Sequence, residues 1–360
     1  MNIAYCATVQ PAFGGLKTFN LGLVHALAQA VVATGHRFLL ITRDVHRSEF
    51  QLPDDQVRCF QGNHFVFENF KLNSWLKEEK IDLALFPNNR LPVLGSWQGM
   101  RAVFIHDLLF WRFPGQFSRL KYLSRYFFMS HALKQADLVF SVSEFTAAEL
   151  RAFGFQGHIE VCLEGIHPPE NIHPQPGDRS FPADKPYFLF VGAHSFQKNI
   201  PALIKAFEML RHQGADCRLI LAGGKGTEAQ LVLDLCEQSP YAQDIILPGF
   251  VTDAEKVRLM QGCEAFVFPS IYEGFGIPVL EAFQLGCPLI CANAASLPEV
   301  AGDAALLPKP DAESLCQAMA EVFRNTERKQ ELIEKGHNRW KQFSWESVAD
   351  VVLRSIVKNR

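Results

Sequence analysis

The segment from residue 265 to residue 291 constrains the fold most, because it predicts a strand, a loop, a helix and a second strand in direct succession. Its first four residues, Ala265–Phe268, are all apolar, as expected of a buried strand. Pro278 suits the first turn of a helix, Gly286 suits the end of one, and residues 288–291 predict the next strand. Units of this kind build α/β sheets.

The same alternation of strands and helices recurs in both halves of the chain. Near the start, residues 2–7 predict a strand, residues 10–18 a loop with the glycine pair Gly14 and Gly15, and residues 19–34 a helix. In the second half, residues 187–192 predict a strand and a helix opens at Asn199. Further strand-like runs are 38–42, 81–87, 101–107, 136–143, 219–224 and 245–251. We therefore expect an α/β protein with two doubly wound, Rossmann-like domains.

The length of the chain supports this division. A chain of 360 residues is too long for one ordinary hydrophobic core and suits two domains. A proline-rich stretch marks the boundary between them, with Pro168, Pro169, Pro174, Pro176, Pro182 and Pro186. We predict a first domain over residues 1–165, a linker over 166–186 and a second domain over 187–344.

Composition excludes some classes of function. Hydrophobic residues at 48% and charged residues at 20% are typical of an ordered globular protein. The formal net charge of −3 argues against a general polyanion binder, so we expect no nucleic-acid partner. The nine cysteines form no C-x-x-C pair, which favours reduced thiols. No signal peptide and no apolar run of ~18 residues is evident, so we expect a cytoplasmic protein, with peripheral membrane attachment left open.

The loop after residue 268 has the features of a phosphate site. Gly274 and Gly276 let the backbone approach a ligand closely, and a helix with a partially positive N-terminus follows at once. Glu273 and Glu281 flank this loop, and carboxylates there can accept hydrogen bonds from sugar hydroxyls. A nucleotide joined to a sugar is the ligand that this combination suggests. The alternative is an ordinary turn, followed by a carboxylate that complements the helix dipole.

Taken together, these residues resemble a known signature. The run E-G-F-G-I-P-V-L-E-A, from Glu273 to Ala282, resembles the motif of retaining glycosyltransferases of family 4. The resemblance implies the GT-B fold, in which two Rossmann-like domains face each other across a cleft. It also implies that the helix over 345–360 crosses back onto the first domain. By the same resemblance, Gly274, Phe275, Gly276 and Ile277 bind the donor diphosphate, Glu281 binds the ribose and Glu273 holds the transferred sugar.

Other segments resemble the same family. The spacing V-G-x-x-x-x-x-K-N, with Gly192 and Lys198, resembles its diphosphate-binding segment, and the loop with Phe250 and Val251 would border the nucleobase. Gly14 and Gly15 would lie against the donor, although a tight turn explains them equally well. One departure is that the arginine common in the diphosphate-binding loop is absent. Its usual positions are Ala193 and Gln197, with His194 as a weak substitute.

His106 and Asp107 follow a strand that should be central in the first sheet. The run F-I-H-D-L resembles the acceptor-domain segment of the family, in which the histidine lies beside the donor sugar. We therefore predict that His106 contacts the sugar hydroxyls or the reacting centre, and we leave the role of Asp107 open. The aromatic and basic stretch 110–134 also fits contact with an anionic membrane. A partly buried helix with solvated basic side chains is the alternative interpretation.

These observations predict a retaining hexosyltransferase that needs neither a metal ion nor a cofactor. Its resemblance to bacterial mannosyltransferases of surface-polysaccharide assembly makes GDP-mannose the first expectation for the donor and a UDP-sugar the second. The expected acceptor is a saccharide or a lipid-linked saccharide. A non-catalytic partner subunit that binds a nucleotide-sugar is the alternative, motivated by the missing arginine.

Overall fold

A computed structural model describes residues 1–9, 11, 14–167, 178, 179, 181 and 184–358. The chain divides into two compact units, Met1–His167 with Phe343–Arg360 and Pro168–Gln342. The predicted linker over 166–186 falls mostly outside the described residues. The same holds for residues 10, 12 and 13 of the first predicted loop and for the last two residues of the chain.

The first unit alternates strands with helices over most of its length. Its strands are β1 (Asn2–Ala7), β2 (Arg37–Arg43), β3 (Val57–Phe60), β4 (Leu83–Phe86), β5 (Met100–Ile105), β6 (Leu138–Ser141) and β7 (Ile159–Val161). Its first six helices are α1 (Gly15–Ala33), α2 (His64–Phe70), α3 (Leu72–Glu78), α4 (Leu109–Arg112), α5 (Arg119–Gln135) and α6 (Glu144–Ala152).

Among the described residues, the strands of the first unit form one parallel sheet in the order β3-β2-β1-β4-β5-β6-β7. The strand order reverses between β1 and β4, so the connections that follow these two strands leave toward opposite faces of the sheet. Such a switch point is where doubly wound sheets bind ligands. The segments that follow β1, β4 and β5 therefore occupy the functional edge of this unit.

The second unit repeats this pattern on a smaller scale. Its strands are β8 (Tyr187–Val191), β9 (Arg218–Ala222), β10 (Ile245–Gly249), β11 (Ala265–Phe268) and β12 (Leu289–Cys291). Its helices are α7 (Ile200–His212), α8 (Ala229–Gln238), α9 (Asp253–Gly262), α10 (Ile277–Gln284), α11 (Leu297–Ala301), α12 (Ala312–Arg324) and α13 (Thr326–Arg339).

The described strands of the second unit also pair in parallel, in the order β10-β9-β8-β11-β12. The reversal lies between β8 and β11. Gly192 follows β8 directly, and the loop with Glu273 follows β11. The two segments with the strongest predicted ligand contacts therefore flank the switch point of this sheet.

The final helix, α14 (Trp345–Lys358), packs on α1 in the first unit. Trp345 is 1% exposed, and its indole lies where a Cβ at Gly22 would stand, 2.1 Å from Cε2. Only glycine lets α1 approach this ring so closely. Helix α1 is long and apolar enough to cross a membrane by length and composition, and a core helix passes the same test.

The structure differs from the sequence prediction at the start of α1. The loop predicted over 10–18 ends early, because α1 begins at Gly15 rather than at Phe19. Gly14 serves as the N-cap residue with φ of 94°, a conformation that favours glycine. Lys17 and Thr18 donate backbone hydrogen bonds to the Gly14 carbonyl, so both residues belong to the first helical turn.

Candidate functional site

A buried serine, Ser296, anchors the loop between β11 and α10 by hydrogen bonds. The Ser296 hydroxyl donates to the carbonyl oxygens of Glu273, at 3.0 Å, and Phe275, at 2.8 Å. Gly276 then caps α10 with φ of 110°, and a Cβ there would lie 2.9 Å from Leu297 Cδ2. Ile277 opens the helix, Pro278 has no N–H, and Val279 donates its N–H to the Gly276 carbonyl at 2.9 Å. The partial positive charge at the helix N-terminus therefore suits an anionic ligand.

Lys198 and Glu273 form the ion pair at the centre of this site. Lys198 Nζ lies 2.5 Å from Glu273 Oε1, and each side chain is 16% exposed. The ammonium group also lies 4.9 Å from the centroid of the Phe268 ring. The residue predicted to bind phosphate thus contacts the residue predicted to hold the sugar.

Two further contacts join the segments that carry this pair. Ile271 donates its backbone N–H to the Gln197 carbonyl at 2.8 Å. The Asn199 side chain donates to the carbonyl oxygens of Pro269, at 3.2 Å, and Pro310, at 2.8 Å. Asn199 itself adopts the left-handed conformation with φ of 54°, which asparagine tolerates better than most residues. The position of Lys198 is therefore fixed by its backbone surroundings.

Glu281 lies in the second turn of α10 and has a lysine partner that the sequence did not reveal. Lys256 Nζ lies 2.8 Å from Glu281 Oε1, and each side chain is 22% exposed. Burial alone would lower the pKa of Lys256, but the Glu281 carboxylate outweighs it and raises the pKa above its ordinary value. The lysine is therefore charged at neutral pH.

The turn after β8 packs closely against the turn after β9. Gly192 donates its N–H to the Ala222 carbonyl at 2.9 Å, and a Cβ at Gly223 would lie 1.9 Å from the Gly192 carbonyl oxygen. His194 is 8% exposed, and burial lowers its pKa. A neutral imidazole does not carry the charge of the missing arginine, so His194 is not a cationic substitute for it.

The loop predicted to border the nucleobase ends β10. Phe250 is 54% exposed, whereas Val251 is buried. Arg179 holds this loop by donating to the carbonyl oxygens of Pro248, at 2.6 Å, and Phe250, at 2.5 Å. Arg179 falls within the stretch that the sequence predicted to be a linker, where no motif distinguishes it.

Arg179 also contacts the start of α9. Its guanidinium lies 3.0 Å from Glu255 Oε2, and Glu255 completes a capping box with Thr252. The hydrogen bond from Arg179 is the main cause that lowers the pKa of Glu255, to about 2. The carboxylate therefore stays ionised over the whole neutral range.

In the first unit, His106 follows β5 directly and both of its ring nitrogens have partners. Nδ1 lies 3.1 Å from Glu164 Oε1, and Nε2 lies 2.9 Å from the Pro87 carbonyl oxygen. A carbonyl only accepts, so Nε2 donates its N–H to Pro87, and Nδ1 contacts the Glu164 carboxyl group. The Phe19 ring packs edge-on at 4.6 Å, which leaves the His106 side chain 16% exposed.

The other predicted residues of the first unit have simpler surroundings. The Asp107 carboxylate accepts from the N–H of Leu109, the first residue of the short helix α4, at 3.0 Å. At Gly14, an added Cβ would meet nothing within 4 Å, so the backbone there faces open space. Gly15 is exposed in the first turn of α1. Glu164, the buried partner of His106, is not predicted from the sequence.

The predicted membrane stretch includes α5, which exposes apolar side chains beside apolar side chains of α2. We call this surface the α2–α5 patch, and its members are exposed by 43% to 79%. They are Phe65, Val66 and Phe70 of α2 and Leu120, Leu123 and Phe127 of α5. A contact at 6.3 Å between the rings of Phe65 and Phe128 joins the two helices. Helix α5 carries Arg119, Lys121, Arg125 and Lys134 and no acidic residue.

Within the described ranges, no three histidine, cysteine, aspartate or glutamate side chains are grouped to hold a metal ion. The charged groups around α10 instead form two lysine–carboxylate pairs. Such a site can bind a diphosphate through Lys198 and the helix N-terminus, and it can accept hydrogen bonds from sugar hydroxyls through Glu273 and Glu281.

Two family models match the chain. The model described as Glycosyltransferase Family 4 matches residues 22–169, and the model described as Glycosyl transferases group 1 matches residues 172–339. The chain belongs to glycosyltransferase family 4. The family predicted from the Glu273 to Ala282 motif is therefore confirmed.

Individual relatives are glycosyltransferases as well. O-antigen chain mannosyltransferase B of Escherichia coli is 30% identical over 238 residues, which are 64% of this chain and 62% of that protein. The matched region thus spans less than two thirds of that relative's length. A GDP-mannose-dependent alpha-(1-6)-phosphatidylinositol dimannoside mannosyltransferase of Mycobacterium tuberculosis is 24% identical over 368 residues, covering 96% of this chain and 93% of that protein.

Solved structures agree on the fold. Sucrose-phosphate synthase from Thermosynechococcus elongatus matches with a TM-score of 0.75 at 20% identity, covering 100% of both chains. Together with the two parallel sheets, this likeness confirms the predicted GT-B fold of two Rossmann-like domains.

Proposed function

We propose that this chain transfers a mannosyl group from a nucleoside-diphosphate sugar to a hydroxyl of a saccharide or lipid-linked saccharide. The transfer retains the anomeric configuration and needs no metal ion. The observation that supports this most directly is the Lys198–Glu273 pair beside the N-terminus of α10, with Glu281 in the next turn. These are the groups that bind the three parts of a nucleotide-sugar.

The ion pair suggests how the donor enters the site. A diphosphate attracts Lys198 away from Glu273, because it carries more negative charge than one carboxylate. Glu273 is then released to accept hydrogen bonds from the sugar hydroxyls. Lys198 and the partial positive charge at the N-terminus of α10 stabilise the charge that develops on the leaving diphosphate.

His106 has a defined way to reach the sugar in this proposal. Glu164 keeps Nδ1 in place, while the Nε2–H exchanges the Pro87 carbonyl for a sugar hydroxyl. Glu164 acts through His106 and is a positioning residue.

GDP-mannose is the donor that we propose first. Both relatives described above are mannosyltransferases, which supports the sugar, and the mycobacterial one depends on GDP-mannose, which supports the base. The O-antigen chain and the phosphatidylinositol dimannoside on which they act favour a saccharide or lipid-linked acceptor. The basic and apolar α2–α5 patch supports a peripheral contact with the membrane that would hold a lipid-linked acceptor.

A thermal-shift screen against GDP, UDP, ADP and dTDP, each alone and with common sugars attached, tests the donor. A ligand that binds only the folded chain raises the melting temperature. We expect GDP and GDP-mannose to give the largest shifts. A larger shift with UDP-sugars would replace the donor and keep the rest of the proposal.

Hydrolysis of GDP-mannose in the presence of EDTA then tests catalysis and metal independence together. The wild type should release mannose slowly, and Glu273→Ala should abolish this release. Glu264→Ala is a matched control, because Glu264 pairs with Lys329 at 2.8 Å, away from the Lys198–Glu273 pair. Mannose release by Glu273→Ala at the wild-type rate would contradict the assigned role of Glu273.

A non-catalytic nucleotide-sugar-binding subunit is the second candidate. It is favoured by Ala193 and Gln197 at the usual arginine positions and by the neutral state of His194. This candidate predicts a thermal shift with a nucleotide-sugar but no hydrolysis by the wild type.

A further inference from the structure

Lys256 is a charged residue of the second unit that no motif assigns. It lies on α9, and its ammonium group contacts Glu281, the carboxylate that is proposed to bind ribose. We propose that Lys256 is a positioning residue of the donor site, which orients Glu281 toward the ribose hydroxyls. This inference rests on the proposed function and adds a residue to it.

The pair joins the two elements that carry the predicted nucleoside contacts. Helix α9 follows the loop with Phe250 and Val251, and α10 follows the glycine loop. Asp253 is the other carboxylate near Lys256, but it lies 3.8 Å away and its side chain is 85% exposed. Glu281 is therefore the main partner of Lys256.

The geometry leaves Glu281 able to accept further hydrogen bonds. Lys256 contacts Oε1 at 2.8 Å, and an ionised carboxylate can accept at both oxygens. A glutamate side chain that is already oriented loses less conformational entropy when the ligand binds. Lys256 thus contributes to affinity without touching the nucleotide.

An ordinary surface ion pair is the competing explanation, and the chain contains a matched example. Lys329 and Glu264 also lie 2.8 Å apart, with side chains 26% and 24% exposed against 22% for both Lys256 and Glu281. Lys329 lies on α13, and Glu264 precedes β11, at the sheet edge opposite the glycine loop. Lys329→Met therefore removes an equivalent pair outside the proposed site.

The test compares GDP with 2′,3′-dideoxy-GDP, which lacks the ribose hydroxyls. Affinities are measured by titration calorimetry for the wild type, Lys256→Met, Lys256→Arg and Lys329→Met. We expect Lys256→Met to weaken GDP binding about tenfold and to leave dideoxy-GDP binding unchanged, as in a double-mutant cycle. Lys256→Arg should retain most of the affinity for GDP, and Lys329→Met should match the wild type.

The outcomes separate this inference from the function on which it rests. An equal loss for both nucleotides would show that Lys256 acts on the diphosphate or on the fold. An unchanged affinity for GDP would show that the pair has no role in binding. Either result overturns the inference alone. The same dideoxy comparison is made with UDP. If the wild type binds neither GDP nor UDP, the donor site itself is rejected and the inference with it.

Discussion

The two lysine–carboxylate pairs around α10 balance the charges of the candidate site. Lys198 with Glu273 and Lys256 with Glu281 neutralise each other at 2.5 and 2.8 Å. An isolated carboxylate or ammonium in such partly buried surroundings would be costly. In the proposed function, a diphosphate draws Lys198 away from Glu273, whereas the contact between Lys256 and Glu281 stays in place.

Removing the charge of Lys198 should therefore weaken nucleotide binding. We expect Lys198→Met to lower the affinity for GDP by about tenfold or more, because a hydrogen bond to a charged group contributes about 1.5–3 kcal/mol. Titration calorimetry measures this directly. Lys205→Met is the control, since Lys205 lies on α7 with its side chain 66% exposed. An equal loss in both variants would contradict a phosphate-binding role for Lys198.

Sequence reasoning found the residues of contiguous motifs and missed their partners. Glu273, Glu281 and Lys198 lie in stretches whose spacing is recognisable. Glu164 lies 58 residues from His106, and Lys256 lies 25 residues from Glu281. Nothing local distinguishes these partners, because strand order and helix packing bring them together.

At the scale of elements, the strands and helices nearest the site were predicted well. Pro278 lies in the first turn of α10 as expected, and β11 and β12 pair in parallel. Elements with weak periodicity, such as β3 and α2, were not predicted. Helix α1 begins before the predicted residue 19, because Gly15 belongs to the helix and not to the loop.

The ion pair between Arg179 and Glu255 at the start of α9 predicts a pH dependence of stability. The pKa of Glu255 is lowered to about 2 in the folded chain. A lowered pKa stabilises the fold above the unfolded value, and this stabilisation is lost as the pH falls from about 4.5 toward 2. Glu255→Gln should destabilise the second unit by about 2 kcal/mol at pH 7, and the difference should shrink in acid.

Chemical denaturation at pH 7 and at pH 3 measures this difference. Asp311→Asn is a comparison variant, because Asp311 caps α12 and its pKa is also lowered, by hydrogen bonds from the Ser314 backbone and hydroxyl. A loss in Glu255→Gln that does not depend on pH would contradict the charge-based explanation.

The α2–α5 patch predicts binding to anionic membranes. The double variant Leu123→Asp and Phe127→Asp should bind vesicles containing phosphatidylglycerol more than about tenfold less tightly, because each apolar side chain buried in lipid contributes about 1.5–3 kcal/mol. Vesicle co-sedimentation measures the binding. Leu231→Asp with Leu233→Asp alters exposed apolar residues of α8 and serves as the control. If the wild type binds vesicles of phosphatidylcholine alone as tightly as vesicles containing phosphatidylglycerol, the role of the basic residues is contradicted.

At the scale of the whole molecule, the first unit is built from two distant parts of the chain. The sequence suggested this return only through family resemblance, since α14 carries no motif for its partner. In the structure, Trp345 fills the space that Gly22 leaves on α1. Ile166 donates its N–H to the Phe343 carbonyl at 3.2 Å, where the chain leaves and re-enters this unit.

Trp345→Ala should therefore destabilise the first unit and spare the second. Removing a buried tryptophan side chain costs about 3–5 kcal/mol. Trp345→Phe should cost less, because the indole N–H of Trp345 has no hydrogen-bond partner in the described part of the chain. Denaturant titration should show one of two unfolding transitions at lower concentration. A shift of both transitions would contradict the assignment of α14 to the first unit alone.

This connectivity also sets an order of events during protein synthesis. Residues 168–342, which form the second unit, emerge from the ribosome before α14, which completes the first unit. The second unit can therefore finish folding while the first unit still lacks α14 and exposes the part of α1 around Gly22. A message that stops before codon 345 would yield a protein in which the loss of Trp345 and α14 destabilises the unit that was made first.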